Sequence, residues 1–586
     1  MLHDSAFDMS DGKRRLRQPT STVRHAATRT RHDGPSATSQ VQSSFVDRLG
    51  MIALILLPAL AATIVFANTL RNDLVLDDPL ALAVAEQPTV SLLTHRYGLA
   101  YVTIKLERAF WSSASGFHLT NVLLHAFCSG LVGVTALRLT RSLCAALLCA
   151  ILFAVHPVHV EAVASIENRK DLLAMACTAI VVLLWTVRGR PIWTYAAAFL
   201  VFWIGLWAKD VATVGVLGVL LWMDLLGARA RGARLKEGVA RSALPLLPFI
   251  TSAVVVAVIS AGNPAALFAH DSIATELTGW GLSSYRDVIA SSAAAVLDVA
   301  RLLVYPARLS ADWPRPTAHP VLGALLALAW MATAVAAARR APTVSLAMAW
   351  IPLTYLPVSN IVPLTPHFVA ERYLYVPSFG FCLLVGVALD AAMRKGPRDH
   401  LLRMIVISIL VATSVGMAAI RTIARNREWR DSVTLWSAAL RTVPGGTGMI
   451  HGELGLALLN LGRDQEAIDH LQRAIEMQPE IADYNNNLGL ALLSVNRPAD
   501  AVTYLERALV GRPDDLAVHY NLGKALAQLG RREEAAVHLR RAMDEKAWAN
   551  APPWTRSALS QQGASLDHFR QMIQRWLDVN APESAR

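Results

Sequence analysis

The sequence predicts an all-α protein in two bodies: a polytopic membrane helix bundle followed by an α-solenoid of short helix pairs. Three observations carry this. Of the 586 residues, 54% are hydrophobic and 17% charged, a composition unlike that of an ordinary soluble domain. Apolar runs of roughly 17–25 residues, enough to cross a hydrocarbon core about 30 Å thick as helices, recur from Met51 to about Ile420. From Trp429 onward the chain turns charged, Ala- and Leu-rich and periodic, the pattern of amphipathic helices in a separate domain.

Residues 1–46, rich in Ser, Thr, Arg and His, show no apolar periodicity and read as a disordered basic tail. The first apolar run begins far from the basic start and no convincing Ala-x-Ala site follows it, so Met51–Ala67 reads as a retained span. The membrane domain then occupies residues 47–425, with about eleven spans by the length rule. Lysine and arginine placement orients it. Lys13, Arg14, Arg15 and Arg17 put the N-terminus in the cytoplasm, and Arg229, Arg231, Arg234, Lys236 and Arg241 do the same for their loop. Arg188 with Arg190, Arg339 with Arg340, and Arg394 to Arg403 agree if the segment with Arg286, Asp287, Asp298 and Arg301 lies in the membrane plane as an amphipathic helix. The repeats then fall on the outer side, periplasmic if the membrane is the inner one of a bacterium. Arg421, Arg425, Arg427 and Arg430, clustered after the last span, favour the opposite side. The net charge of +11 sits mainly in inner loops and the tail, where topology and anionic lipid account for it without nucleic acid. Cys128, Cys144, Cys149, Cys177 and Cys382 all lie in or beside apolar runs, lack metal-ligand spacing, and read as small buried hydrophobes.

Residues 429–546 hold three units, ELGLALLNLGRDQEAIDHLQRAIEMQP, NLGLALLSVNRPADAVTYLERALVGRP and NLGKALAQLGRREEAAVHLRRAM, with a period of 34 that aligns Gly455, Gly489 and Gly523, and behind them Ala467, Ala501 and Ala535. A helix–turn–helix of that length with small residues at its close contacts is a tetratricopeptide repeat. DSVTLWSAALRTVP makes a helical approach, and residues 547–586 supply a capping helix around Leu566 to Leu577. On the inner face Asn487 and Asn521 occupy matching positions, with Glu453 at the third. Their placement resembles the asparagine ladder with which some such repeats hold peptide backbones; a solvated helix face accounts for them equally well.

Polar groups in the membrane half are expensive and therefore informative. NDLVLDDP, just beyond the first span, carries Asp73 and the adjacent pair Asp77 and Asp78; such carboxylates can act as base, electrostatic support or metal ligand, or can simply be solvated. THRYGLAY adds His95, Arg96 and Tyr97, and FHLTNVLLHA sets His118, Asn121 and His125 on one helix face. HPVHVEAVASIENRKDLL holds His156, His159 and Glu161, a loose metal-ligand spacing without a His-Glu-x-x-His signature. Arg169 and Lys170, two turns on, could hold a phosphate. AKD supplies Lys209 and Asp210, and PHFVAERYLYVPS supplies His367, Glu371, Arg372, Tyr373 and Tyr375. In the orientation above, all of these clusters face the same side.

LDDP, FHLTNVLLH, HPVHVEAVASIENRKDLL, AKD and VAERYLYVPSFGF, in this order and followed by 34-residue repeats, resemble the TMTC family of transmembrane and tetratricopeptide-repeat proteins, GT-C-type glycosyltransferases regarded as protein O-mannosyltransferases. The likeness covers about residues 50 to 545; where the family has an aromatic before the acidic pair this chain has Leu76, and its Ser-Lys-Glu turn is Ala-Lys-Asp here. The resemblance implies a GT-C-like membrane domain that moves a sugar, mannose in the family, from a polyprenyl-phosphate-linked donor to a protein hydroxyl on the outer face. It implies Asp77 or Asp78 as general base, with Glu161 in the catalytic group. Arg96, Arg169, Lys170, Lys209 and Arg372 would meet the donor phosphate. His118, Asn121, His125, His156, His159, Glu371 and Tyr373 would shape the cavity or position the acceptor, with Glu453, Asn487 and Asn521 in the repeat groove. Dependence on a divalent metal stays open, as do two other readings: a lipid-linked sugar transporter or flippase, and a membrane-anchored scaffold that displays the repeats.

Overall fold

The structure is a computed structural model, described over residues 37–187, 189–260, 284–362, 364–394, 400–544 and 566–580. Two compact units divide the chain, Met1–Gly50 and Met51–Arg586. Of the first, residues 37–50 are described and are helical. Composition predicts a disordered tail up to residue 46, whereas the helix of the first span begins at Ala37: once a span has nucleated a helix, extending it over residues without Pro or Gly costs little. The rest of the tail lies outside the described residues.

Among the described residues every regular element is a helix. In chain order they are α1 (Ala37–Phe66), α2 (Asp78–Ala85), α3 (Thr89–Thr94), α4 (Gly98–Glu107), α5 (Ala114–Thr140), α6 (Leu143–Val155), α7 (Val160–Ala164), α8 (Arg169–Trp185), α9 (Ile192–Val214), α10 (Val216–Ala230), α11 (Leu235–Ser260) and α12 (Tyr285–Val304). Then come α13 (Pro320–Ala337), α14 (Pro342–Tyr355), α15 (Ser378–Arg394) and α16 (His400–Glu428), which close the apolar half. Among the described residues six helices are long and apolar enough to cross a membrane, and a seventh span arises if α6 and the turn and helix Pro157–Ala164, bent by 50°, count as one. The expectation of about eleven spans is not confirmed by length, because α8, α10, α14 and α15 run only 17, 15, 14 and 17 residues. The segment expected in the membrane plane is α12, which is not among the candidate spans.

Large apolar side chains stay exposed along the spans, among them Leu56, Leu60, Leu200, Trp203, Leu401 and Ile409, the outward face that a lipid environment requires. Inside, α9 breaks at Lys209, whose φ of −160° and ψ of 101° are extended, and Thr213 Oγ1 bonds the freed Gly205 carbonyl at 2.8 Å. The break turns Lys209 and Asp210 off the helix axis.

The second half is the solenoid: α17 (Ser432–Thr442), α18 (Gly448–Asn460), α19 (Asp464–Met477), α20 (Ala482–Ser494), α21 (Pro498–Gly511), α22 (Leu516–Gln528) and α23 (Arg532–Ala542), with α24 (Leu566–Asn580) packing its Ile573 and Leu577 on the last repeat. Asp431 caps α17, accepting from Thr434 N at 2.8 Å. The repeat glycines are where two helices close: a Cβ at Gly489 would stand 2.6 Å from Leu505 Cγ. Gly489→Ala should therefore destabilise the chain by about 1–3 kcal/mol through overpacking, although alanine is the better helix former; thermal unfolding of the full-length protein checks the sign.

Candidate active site

The acidic loop after α1 is built around a turn. Leu76 has φ 53°, a left-handed conformation that costs a branched residue roughly 1–2 kcal/mol, and it sends two adjacent carboxylates in opposite directions. Asp78 is fully buried and accepts from Ser165 Oγ at 2.9 Å, Glu167 N at 3.0 Å and Val75 N at 3.2 Å. Asp77 keeps an exposed surface. Asp78 thus locks the loop onto the turn before α8, and Asp77 faces the space beside it.

What faces Asp77 follows from its electrostatics. The protein walls that crowd out bulk water push its carboxyl up, Glu167 adds to this, and Lys170, Arg372 and His367 oppose it. Lys170 pairs with Glu167 and lies 4.5 Å above the Tyr97 ring. Burial works against charge on Glu167, but Lys170, Lys209 and Arg372 together hold its carboxyl below the usual range. Arg372 pairs with Glu161, which also accepts from Arg372 N at 2.9 Å, and its guanidinium carbon is 5.1 Å from the Tyr373 ring. Lys209 Nζ is 2.7 and 2.8 Å from the two Asp171 oxygens and 5.6 Å from Tyr373. Arg96 Nε meets Asp210 Oδ2 at 3.2 Å. An accessible carboxylate thus stands among paired cations and two tyrosine faces.

Access separates the expected residues. Side-chain exposure is 37% for Arg96, 18% for Arg372 and 11% for Lys170, against 4% for Lys209 and zero for Arg169. Arg169, expected on the donor phosphate, is instead enclosed: it donates to Glu107 at 2.7 Å, Asn121 Oδ1 at 2.8 Å and the Phe117 carbonyl at 3.1 Å, and no surface remains to meet a ligand. Glu161, expected among the catalytic carboxylates, is buried under Arg372 and orients it.

The residues expected to shape the cavity are buried framework. His118 Nε2 lies 3.4 Å from the Asp73 carbonyl, and Asn121 Nδ2 bonds the Val163 and Ser165 carbonyls at 3.2 and 2.8 Å, so this face of α5 grips both loops. His125 reaches Tyr375 at 2.7 Å, His159 reaches Ser378 at 2.8 Å, and His156 lies 3.0 Å from the Leu303 carbonyl. Glu371 accepts from Ser310 N at 2.6 Å and from Arg425 at 3.2 Å, both partners of the ion pair being wholly buried. Tyr373 is nearly buried beneath its two cations. Among the described residues no three metal-ligating side chains converge. Sequence reasoning missed Glu167, Glu107 and Arg425 as partners, and the only local signal was the i, i+3 spacing of Glu167 and Lys170.

The repeats sit against this space. Asp73 N donates to the Arg430 carbonyl at 2.8 Å, and Thr442 Oγ1 to the Leu309 carbonyl at 3.1 Å. Asn521 Nδ2 donates to Asn486 Oδ1 at 3.0 Å and Asn486 to Asn487 at 3.4 Å, and Asn521 Oδ1 is buried without a partner among the described residues. Glu453 is half-buried, and burial, then Asp77 and Asp483, push its carboxyl up to about 7. A group whose folded value lies above its ordinary 4.5 contributes stability that is complete below the lower value and lost as the pH rises through the higher. Melting of the wild type relative to Glu453→Gln should therefore be worse at pH 8 than at pH 5.

Comparison with known proteins fits this arrangement. The tetratricopeptide repeat family matches residues 418–482 and 486–552. A Protein O-mannosyl-transferase Tmtc2 of Drosophila melanogaster is 36% identical over 149 residues, 25% of this chain and 15% of that protein. Protein O-mannosyl-transferase TMTC3 of Mus musculus is 26% identical over 402 residues, 62% of this chain and 42% of that protein. The chain is TMTC-like. It spans less than half the length of either relative. The solved structure of ArnT from Cupriavidus metallidurans bound to undecaprenyl phosphate aligns over 77% of this chain and 79% of that one at 16% identity, with a TM-score of 0.36, too low to carry an argument.

Proposed function

We propose that this chain is a GT-C-type membrane glycosyltransferase that moves a sugar, mannose by its relatives' names, from a polyprenyl-phosphate donor to a protein hydroxyl. The observation that carries the reading is Asp77: of the acidic pair it alone is accessible, and the charges of Lys170, Arg372 and His367 favour its ionised form. In this reading Asp77 takes the acceptor proton as the hydroxyl oxygen attacks the anomeric carbon. The sugar–phosphate bond breaks, and the polyprenyl phosphate leaves with the electron pair. Arg372, Lys170 and Arg96, the cations with access, meet its developing charge, while their own carboxylates keep them oriented in the absence of donor.

A lipid-linked donor has support beyond the names. An apolar cavity of about 490 Å³, lined by Leu148, Leu152, Phe381, Val385, Leu389 and Leu410, opens between α6, α15 and α16 with Arg421 also in its lining, a surface suited to hydrocarbon. The repeats, next to Asp77 through Glu453, would hold the acceptor polypeptide.

The test is a donor choice. Purified full-length protein is given radiolabelled polyprenyl-phosphate mannose or nucleotide-linked mannose, with envelope protein as acceptor. Label on protein from the lipid donor alone supports the reading; label from the nucleotide sugar alone refutes the donor class.

A further inference from the structure

One histidine whose charge acts on Asp77 is tied to the repeat domain. His367 Nδ1 lies 3.5 Å from Asp312 Oδ1, with Asp312 nearly buried and the imidazole 20% exposed. The backbone of His367 is fixed by Asn360, whose Nδ2 donates to the His367 carbonyl at 2.9 Å. Asp312 is held in turn from the other domain: Thr447 Oγ1 donates to its Oδ2 at 2.5 Å. Thr447 is itself fixed as the N-cap of α18, accepting from Ile450 N at 3.1 Å. His367 acts on the Asp77 charge from this position.

We propose that His367 is a further residue of the active site, and that Asp312 and Thr447 are positioning residues that set its ring from the first repeat. The inference rests on the glycosyltransferase reading for the role of His367, but the linkage stands on the Thr447–Asp312 hydrogen bond and on the 3.5 Å approach of Asp312 to the ring. Its chemistry is simple: a carboxylate beside Nδ1 favours the tautomer with the proton there and leaves the opposite ring nitrogen as the acceptor. That nitrogen can accept from a sugar hydroxyl, or donate to phosphate when the ring is charged. A shift of α18 moves Thr447, releases Asp312 and frees the ring, so the docking of the repeats and the competence of the membrane site become one variable.

Two readouts test this on the full chain in lipid nanodiscs. In sugar transfer, His367→Ala and Asp312→Asn should each lower kcat about tenfold, the size of one lost oriented hydrogen bond to a charged group, with KM for the lipid donor little changed. The double variant should be no worse than His367→Ala alone, since both act through one ring. Thr447→Val should fall with them and Thr447→Ser should restore activity, because serine keeps both the cap and the donor. Additive losses overturn the relay. The second readout needs no turnover: the rate at which diethylpyrocarbonate modifies His367, read by mass spectrometry. Asp312→Asn and Thr447→Val should each raise it severalfold while exposed His319 keeps its rate; unchanged modification of His367 refutes the linkage even if the protein transfers no sugar.

Discussion

Asp77→Asn should lower the rate of sugar transfer by roughly 10²–10⁴-fold, the usual contribution of a positioned general base, while leaving donor KM and the melting temperature close to wild type. The reasoning is local. The Asp77 carboxylate has an exposed surface and makes no side-chain hydrogen bond to the described residues, so the fold loses little with its charge. Its neighbour should behave in the opposite way. Asp78 is enclosed by three donors, and an amide there would set an NH₂ group against one of them. Asp78→Asn should destabilise the loop by about 1–3 kcal/mol and lower the yield of folded protein more than the turnover of what folds. Steady-state kinetics and thermal unfolding of both variants separate the two roles.

Arg425→Met should cost about 3–5 kcal/mol, because it strands a wholly buried Glu371 without its cation. The pair ties the end of α16 to the turn that carries Arg372, so the loss reaches the site as well as the fold. Glu371→Gln combined with Arg425→Met should recover most of that stability: the glutamine oxygen still accepts from Ser310 N, and no lone charge remains in the interior. Unfolding midpoints in detergent micelles, followed by circular dichroism, make the comparison. A double variant as unstable as the single one would show that the cost lies in lost packing of the arginine stem.

The parts of this molecule that sequence made legible are those whose signal is local. A 34-residue period with Gly and Ala at fixed places writes the repeats into any short window, and the structure places Gly455, Gly489 and Gly523 at the helix contacts. The helix face of His118, Asn121 and His125 was equally plain, yet its work was not: each of these side chains grips a distant segment, Asn121 through carbonyls 42 and 44 residues away. Arg169 shows why charge alone misleads. Its place beside Lys170 suggests a phosphate site, but Glu107, 62 residues earlier, encloses it. The division of labour between Asp77 and Asp78 depends on the left-handed turn at Leu76 and on Ser165, 87 residues on, and neither is written in the Asp-Asp pair. Helix length leaves the span count unconfirmed for a related reason, since hydropathy does not see where a buried helix stops and a polar turn begins.

If Asp77 is the base of a lipid-linked sugar transfer, its loss must show in label transfer from radiolabelled polyprenyl-phosphate mannose to protein, measured for wild type and Asp77→Asn of equal thermal stability. Label with the wild type and at least a hundredfold less with the variant, the lower bound for a general base, is the result predicted. Equal labelling by the two proteins would contradict it and move the base away from the acidic loop.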